Sequence, residues 1–388
     1  MNPLNHPPLS TVGGSRLLGC ALLLCATAGL AAPTFAQDAS PIPEWLQQRL
    51  VDRVVHRRDS NAMMQLLQPI AGELKGSVVE VISSGRPVAL GTVVSQPHAA
   101  TTALITSSPT RTSLTGSADT AEIQDVYVLT KRSELSGDPI RIRLADNQLL
   151  PARVAAVRRA SDLALLVVQA DASTVSQSLR AVEFASEVPQ IGSFIISPDR
   201  SGRVVGIGVV GAAPRKVGHM GRLGIKLEKI EQAGARVRSI IPHSGADEAG
   251  LEMGDRIIAI DGQTQSNVDI VVSTLNSMFP GEVVQLTIER DGSTVDIPAQ
   301  LSEFSVMQES ENDARVNGAR NVRLSGFERA LQHDTVLNPE QCGGPVLNTE
   351  GQVIGINIAR AGRVVSYALP ASLVLNEVSS MITEAGGK

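Results

Sequence analysis

Between Ser77 and about residue 180 the chain is a succession of short apolar runs: "SVVEVIS", "VALGTVVS", "TTALITSS", "DVYVLTK", "IRIRLAD", "PARVAAV" and "LALLVVQA". Gly, Pro, Asn and Asp punctuate them, and no long helical period intervenes. Many short strands separated by turn residues specify an all-β barrel or sandwich. Aromatic residues make up only 2% of the chain, so the interior has to be built from Val, Ile, Leu and Ala. The β-branched members of that set favour pleated structure. Residues 107–122, "SSPTRTSLTGSADTAE", are polar and predict an exposed loop.

The two ends read differently. Arg16 precedes "LLGCALLLCATAGLAA", an apolar run too short to span a membrane, and "TFAQD" offers a cleavage site after Ala36. Residues 1–36 are therefore expected to be a signal peptide, which places the mature chain in a periplasm or outside the cell. Cleavage removes Cys20 and Cys25 and leaves Cys342 as the single cysteine, so an intramolecular disulfide is excluded. Residues 37–75 form an N-terminal segment in which Leu46, Leu50, Val54 and Val55 recur at helical spacing while Arg49, Arg53 and Arg57 line another face. This predicts a helical stretch from Glu44 to about Leu67, suited to docking or oligomerisation, with contact to an anionic surface as the alternative. Net charge is -5 with no sustained basic tract, which argues against nucleic acid as a partner. Nothing in the sequence requires a metal or a cofactor.

A second unit begins near Gly221. "GRLGIKLE" and "GARVRSII" read as strands, Asn267 to Met278 as a helix, and "ERDGSTV" as a hairpin turned at Asp-Gly. With its "RLGI" loop, "SGADEAGLEMGDRIIAIDG" and "GEVVQLTIERDG", this unit resembles a PDZ domain of the bacterial HtrA type. The resemblance implies that Leu223, Gly224 and Ile225 bind a terminal carboxylate through their backbone. It also implies that Leu223, Ile225 and Leu275 line a pocket for the last side chain. The partner expected on this reading is a peptide or protein C-terminus.

The flanking β-rich material resembles the trypsin-like domain of the HtrA/Deg family. The residues that carry the likeness are "VALGTVVS", "DVYVLTKRSEL", "IRIRLADN", "ASDLALLVV", "HDTVLNPEQCGGPVLNTEGQVIGINIA" and "SYALPASLV". The family places its PDZ domain after the protease domain, whereas here it interrupts the chain. The expected architecture is mainly β, a double β-barrel split by an α+β insert. Its parts are the first barrel portion at 76–217, the PDZ domain at 218–303, a linker at 304–325 and the second barrel portion at 326–388.

The resemblance supplies positions at which to look for chemistry. A protease of this kind needs a nucleophile, an imidazole base, a carboxylate to orient it and backbone donors for the oxyanion. Asp162 stands at the carboxylate position, though a turn aspartate before a strand fits as well. Ser133 stands where the family has histidine, and its hydroxyl accepts no proton near neutral pH. Cys342 replaces the nucleophilic serine, and Glu340 replaces the glycine whose amide serves the oxyanion. Loss of one such donor costs ~3 kcal/mol in the transition state. The expectation is a catalytically inactive homologue that binds C-termini. The alternative is an active endopeptidase with Cys342 as nucleophile, and a third reading is a structural subunit assembling with itself or an active relative. His98 precedes its strand and is rejected as a base. His56, His219 and His243 lie in the helix, a linker and the insert. His333, nine residues before Cys342, falls on a strand away from the expected triad.

Overall fold

The computed structural model describes residues 60–96, 123–219 and 221–386. The signal-peptide reading, most of the Glu44 to Leu67 helix, the "TTALITSS" strand, the 107–122 loop, His56 and His98 lie outside the described residues.

Strands β1 (Val78–Ser83), β2 (Arg86–Val94), β3 (Ile123–Lys131), β4 (Ile140–Arg143), β5 (Leu149–Arg158) and β6 (Leu163–Asp171) close into a barrel in the order β1-β2-β3-β6-β5-β4. The run "LALLVV" of β6 shows why an unbroken apolar stretch is needed. Leu166 and Val168 point into this barrel, while Leu163 and Leu165 join the core shared with the rest of the molecule. Alternate residues of a strand face opposite sides, so a strand buried on both faces cannot alternate with polar residues.

A second closed barrel combines β7 (Phe194–Pro198) and β8 (Val204–Val217) with four strands from the far end of the chain. Between them lies the insert. It comprises β9 (Gly221–Arg222), β10 (Ile225–Glu228), β11 (Ala235–Ile240), β12 (Arg256–Ile260), β13 (Gln263–Thr264), β14 (Val283–Arg290), β15 (Ser293–Gln300) and β16 (Ser302–Glu303). Its main sheet runs β10-β11-β12-β14-β15, which leaves β10 as an edge. The β14–β15 turn places Asp291 and Gly292 at φ 51° and 79°, as an Asp-Gly type I′ hairpin turn requires. The second barrel is completed by β17 (Phe327–His333), β18 (Pro345–Leu347), β19 (Val353–Gly362) and β20 (Val365–Pro370), in the order β17-β20-β19-β18-β7-β8.

Helices trim this β framework. α1 (Asn61–Gly72) is capped by Ser60, whose hydroxyl accepts from Met63 N, and Gln68 ties it to Gly202. α2 (Ala172–Ser178), absent from the sequence reading, starts where the Asp171 carboxylate accepts from Thr174 N. α3 (Gly245–Glu248) and α4 (Val268–Asn276) belong to the insert. α5 (Phe304–Met307) and α6 (Glu311–Asn317) fall in the stretch read from its polarity as a linker. That stretch is not passive: Arg323 is 1% exposed and Asn321 5%. α7 (Ala371–Gly386) closes the chain, burying Val374, Val378, Met381 and Ile382 along one stripe. The described residues contain no helix long and apolar enough to cross a membrane.

Candidate functional site

The loop that holds Cys342 is stitched to both barrels. Leu90 N donates to Cys342 O at 2.9 Å and Thr92 Oγ1 to Gly343 O at 3.0 Å, from β2 of the first barrel. Gly343 N donates to Asn357 O at 2.7 Å, from β19 of the second. Gly343 has φ +94°, and a Cβ there would run into the Leu90 carbonyl. The "GGP" turn is thus glycine because two barrels meet on it.

Within this frame every expected participant has another occupation. The Asp162 carboxylate accepts from Lys131 Nζ at 2.5 Å, Ser133 Oγ at 2.9 Å and Ser133 N at 3.0 Å. Lys131 and Asp162 are both fully buried. Ser133 does stand against Asp162, but as a hydrogen-bond donor, and the charge partner is Lys131. Sequence reasoning missed Lys131: it is the last residue of an apolar strand, and a lone cation in such a run was the available signal.

Cys342 is fully buried, and its thiol donates to Asn321 Oδ1 at 3.0 Å. Burial pushes the thiol up to about 12, outweighing the opposing field of Lys131. This is the reverse of what a thiolate nucleophile needs. The described histidines do not supply a base. His219 packs edge-on to Phe279, and His243 is an exposed turn residue at φ 58°. His333 is 1% exposed with Nδ1 2.8 Å from Thr335 Oγ1, and burial holds it down at about 4.

The oxyanion position is closed from inside. Pro339–Gln341 form a 3-10 turn, so Cys342 N donates to Pro339 O at 3.1 Å. The N–H and C=O of a trans peptide point in opposite directions. With the Pro339 carbonyl turned toward Cys342 N, the Glu340 amide faces away from it. Glu340 takes helical backbone there, which a side chain permits and which a convergent pair of donors does not.

Asn321 holds this arrangement. Its Nδ2 donates to Pro339 O at 3.1 Å and Glu134 Oε1 at 2.9 Å, and its Oδ1 accepts from Cys342 Sγ and from Arg360 N at 2.7 Å. Val322 N donates to Glu134 Oε1, and Arg323 O accepts from Lys131 Nζ at 3.3 Å. Residues 321–323 therefore connect the Asp162 cluster with the Cys342 loop and fill the space between them. The Arg323 guanidinium donates to the carbonyls of Arg159, Ala160, Ser325 and Gly326 and lies 4.0 Å from the Phe279 ring. Burial lowers its proton affinity, countered by Asp162 and Glu282.

The insert docks on the same region. Glu282, 5% exposed, takes a bidentate pair from Arg159 at 2.7 and 2.8 Å and accepts from Phe279 N. Burial alone would raise its carboxyl, but Arg159 and the Phe279 amide bring it below the ordinary value. Arg159 lies on the turn that presents Asp162, so the insert grips the loop carrying that carboxylate.

The groove of the insert is the opposite kind of place. Leu223, Gly224, Ile225 and Leu275 are brought together along a cleft of about 350 Å³ between β10 and α4. Leu223 O accepts from Ala246 N and Gly224 O from Ile241 N. By the same antiparallel rule, the amides of Gly224 and Ile225 turn away from the domain body, toward the cleft. Ile225 sits on the edge strand, and Leu223 and Leu275 are buried in the core behind it.

Two closed barrels and an embedded sheet-and-helix domain define a class: a trypsin-like double barrel carrying a PDZ domain. Residues 221–301 match the PDZ domain family model. That domain interrupts a double barrel of the trypsin-like type, and the chain is similar to DegP/HtrA serine endoproteases. It is 26% identical over 227 residues to the periplasmic serine endoprotease DegP of Escherichia coli K12, covering 50% of this chain and 47% of that one. It is 25% identical over 321 residues to a probable periplasmic DegP-like serine endoprotease of Marinomonas sp. MWYL1, covering 61% and 66%. The chain thus spans less than half the length of the E. coli relative. A crystal structure of a Mycobacterium tuberculosis H37Rv protein in an inactive form aligns over 84% of this chain and 94% of that one, with 13% identity and a TM-score of 0.39.

Proposed function

We propose that this chain is an exported, non-proteolytic HtrA-type protein that captures peptide or protein C-termini in its PDZ groove. One observation carries the reading. The residues at the catalytic positions are occupied by other partners, Asp162 by Lys131 and Ser133, and Cys342 by Asn321, with no imidazole at either among the described residues. A nucleophile without a base, held neutral by burial, does not perform acyl transfer. What the chain retains is a groove with outward backbone donors and an unpaired sheet edge, the combination that binds an extended C-terminal peptide. Export rests on the apolar leader ending at Ala36 and agrees with the periplasmic relatives.

The test has two arms. Purified mature protein incubated with labelled unfolded casein is expected to release no fragments, and a labelled peptide with a free apolar C-terminus is expected to bind where its C-terminal amide does not. Turnover that survives inhibitors of contaminating proteases and disappears in Cys342→Ala would overturn the first half. Equal binding of acid and amide would overturn the second.

A further inference from the structure

The segment that leaves the PDZ domain does not simply depart from it. β9 and β16 pair Gly221 with Glu303 and Arg222 with Ser302. This ribbon sets the Leu223–Ile225 loop and helix α5 side by side. Phe304 and Met307, three residues apart on one face of α5, line the cleft, while Ser305 and Val306 are exposed. Met307 Cε lies where a Cβ on Gly224 would be 3.1 Å from it. These two residues stand outside the 221–301 stretch that defines the domain by sequence.

Resting on the peptide-binding reading above, we propose that Phe304 and Met307 form an end wall of the groove. This wall, with Arg222, restricts the bound C-terminus to a short apolar last residue.

Three observations support this. The Arg222 guanidinium carbon is 5.8 Å from the Phe304 ring, and one of its nitrogens donates to Asn276 Oδ1 at 2.6 Å and to Gly221 O at 3.1 Å. This fixes a cation at the end of the cleft where the outward amides of Gly224 and Ile225 sit, and a carboxylate complements both. The wall is braced from behind. Glu303, 4% exposed, accepts from Leu324 N at 2.8 Å and from Ser325 Oγ at 2.8 and 3.0 Å. The cleft that remains is about 350 Å³, near the lower limit for ligand pockets. A strand added along β10 directs its last and third-last side chains into the cleft. There they meet apolar Ile225 and Leu227 on one side and Val268, Val272 and Leu275 on the other.

The experiment is fluorescence polarisation on the full mature chain with labelled peptides ending Val-Thr-Val or Val-Thr-Phe, each as free acid and as amide. Wild type is expected to prefer the Val-ended acid over the Phe-ended acid by about tenfold. The Phe304→Ala/Met307→Ala double variant is expected to lose that preference by gaining affinity for the Phe-ended acid. Arg222→Gln is expected to weaken the acids about tenfold while leaving any amide binding unchanged. Unfolding midpoints within the scatter of wild type establish that the variants are folded. Unchanged selectivity in the double variant, with the Val-ended acid still bound better than its amide, overturns the wall and leaves the C-terminal reading standing. If no variant distinguishes acid from amide, the C-terminal reading falls and the wall with it.

Discussion

The region between the barrels around Cys342 and the groove of the PDZ domain each hold a loop of backbone amides, the first among polar side chains and the second between apolar walls. They differ in what those amides do. Between the barrels, Cys342 N is taken by Pro339 O, that carbonyl by Asn321 as well, and the Asn321 amide is filled by four partners, Glu134, Pro339, Cys342 and Arg360. In the groove the carbonyls of Leu223 and Gly224 are tied back into the domain, which turns the amides between them outward. A buried polar group must be paired. A loop paired internally is therefore structural, and one whose donors face a cleft is available to a ligand. The same chain has filled one site and kept the other open.

The sharpest way to break this contrast is at Lys131. If the Lys131–Asp162 pair is structural, Lys131→Met strands a buried carboxylate and lowers stability by about 3 to 5 kcal/mol. Lys131→Met combined with Asp162→Leu removes both charges and is expected to recover much of the loss. Urea unfolding followed by circular dichroism measures both. A single variant as stable as wild type would mean that Asp162 is not held as described.

The next effect is a pH dependence at His333. Its folded pKa of about 4 lies below the ordinary 6.5. Between those values the unfolded chain binds a proton that the folded chain refuses, so stability is full above pH 6.5 and falls as pH drops through the window. The loss reaches up to about 3 kcal/mol once pH 4 is passed. His333→Gln is expected to remove this slope from the unfolding midpoint measured across pH 4 to 7. An NMR titration placing His333 near neutrality would instead show that burial does not hold the imidazole neutral, and the slope would have to come from another group.

A smaller loss is expected from Asn321→Ala, which leaves the Arg360 amide without its acceptor and takes one donor each from the Pro339 carbonyl and the Glu134 carboxylate: about 2 kcal/mol. Its more telling readout is kinetic. Labelling of Cys342 by a thiol reagent should accelerate because residues 321–323 no longer seal the thiol, while peptide affinity in the groove stays unchanged. Unaltered labelling would show that Asn321 is not what encloses Cys342.

These residues also mark how much the sequence disclosed. The barrels and the insert were legible because their information is local: alternation, turn residues and motifs such as "EQCGGPVLN" each lie within a few positions. The positions of Ser133, Asp162 and Cys342 followed from the same motifs. Their partners did not. Lys131 meets Asp162 across 31 residues, and Asn321 meets Glu134 across 187. A polar stretch such as "ARNVRLSG" lacks periodicity whether it is solvated or buried against polar partners elsewhere. Polarity was therefore read as exposure, and the segment that fills the cleft was taken for a linker. The α5 wall escaped for the same reason, since four residues carry no pattern.

The smallest expected change in stability tests the open half of the contrast. Gly224 has φ +86°, and a Cβ there would meet the Ser244 side chain and press on Met307. An alanine in left-handed backbone costs about 1 to 2 kcal/mol, and the loop must shift to relieve the contact with Ser244. That shift rotates the peptide whose amide faces the groove. Gly224→Ala is therefore expected to leave a folded protein with a slightly lowered unfolding midpoint, yet to weaken a free-acid peptide at least about tenfold, as the loss of a charge-assisted hydrogen bond implies. Isothermal titration of wild type and variant with the same Val-ended peptide makes the measurement. If affinity survives, the outward amides are not the carboxylate's partners, and the groove binds by its apolar walls alone.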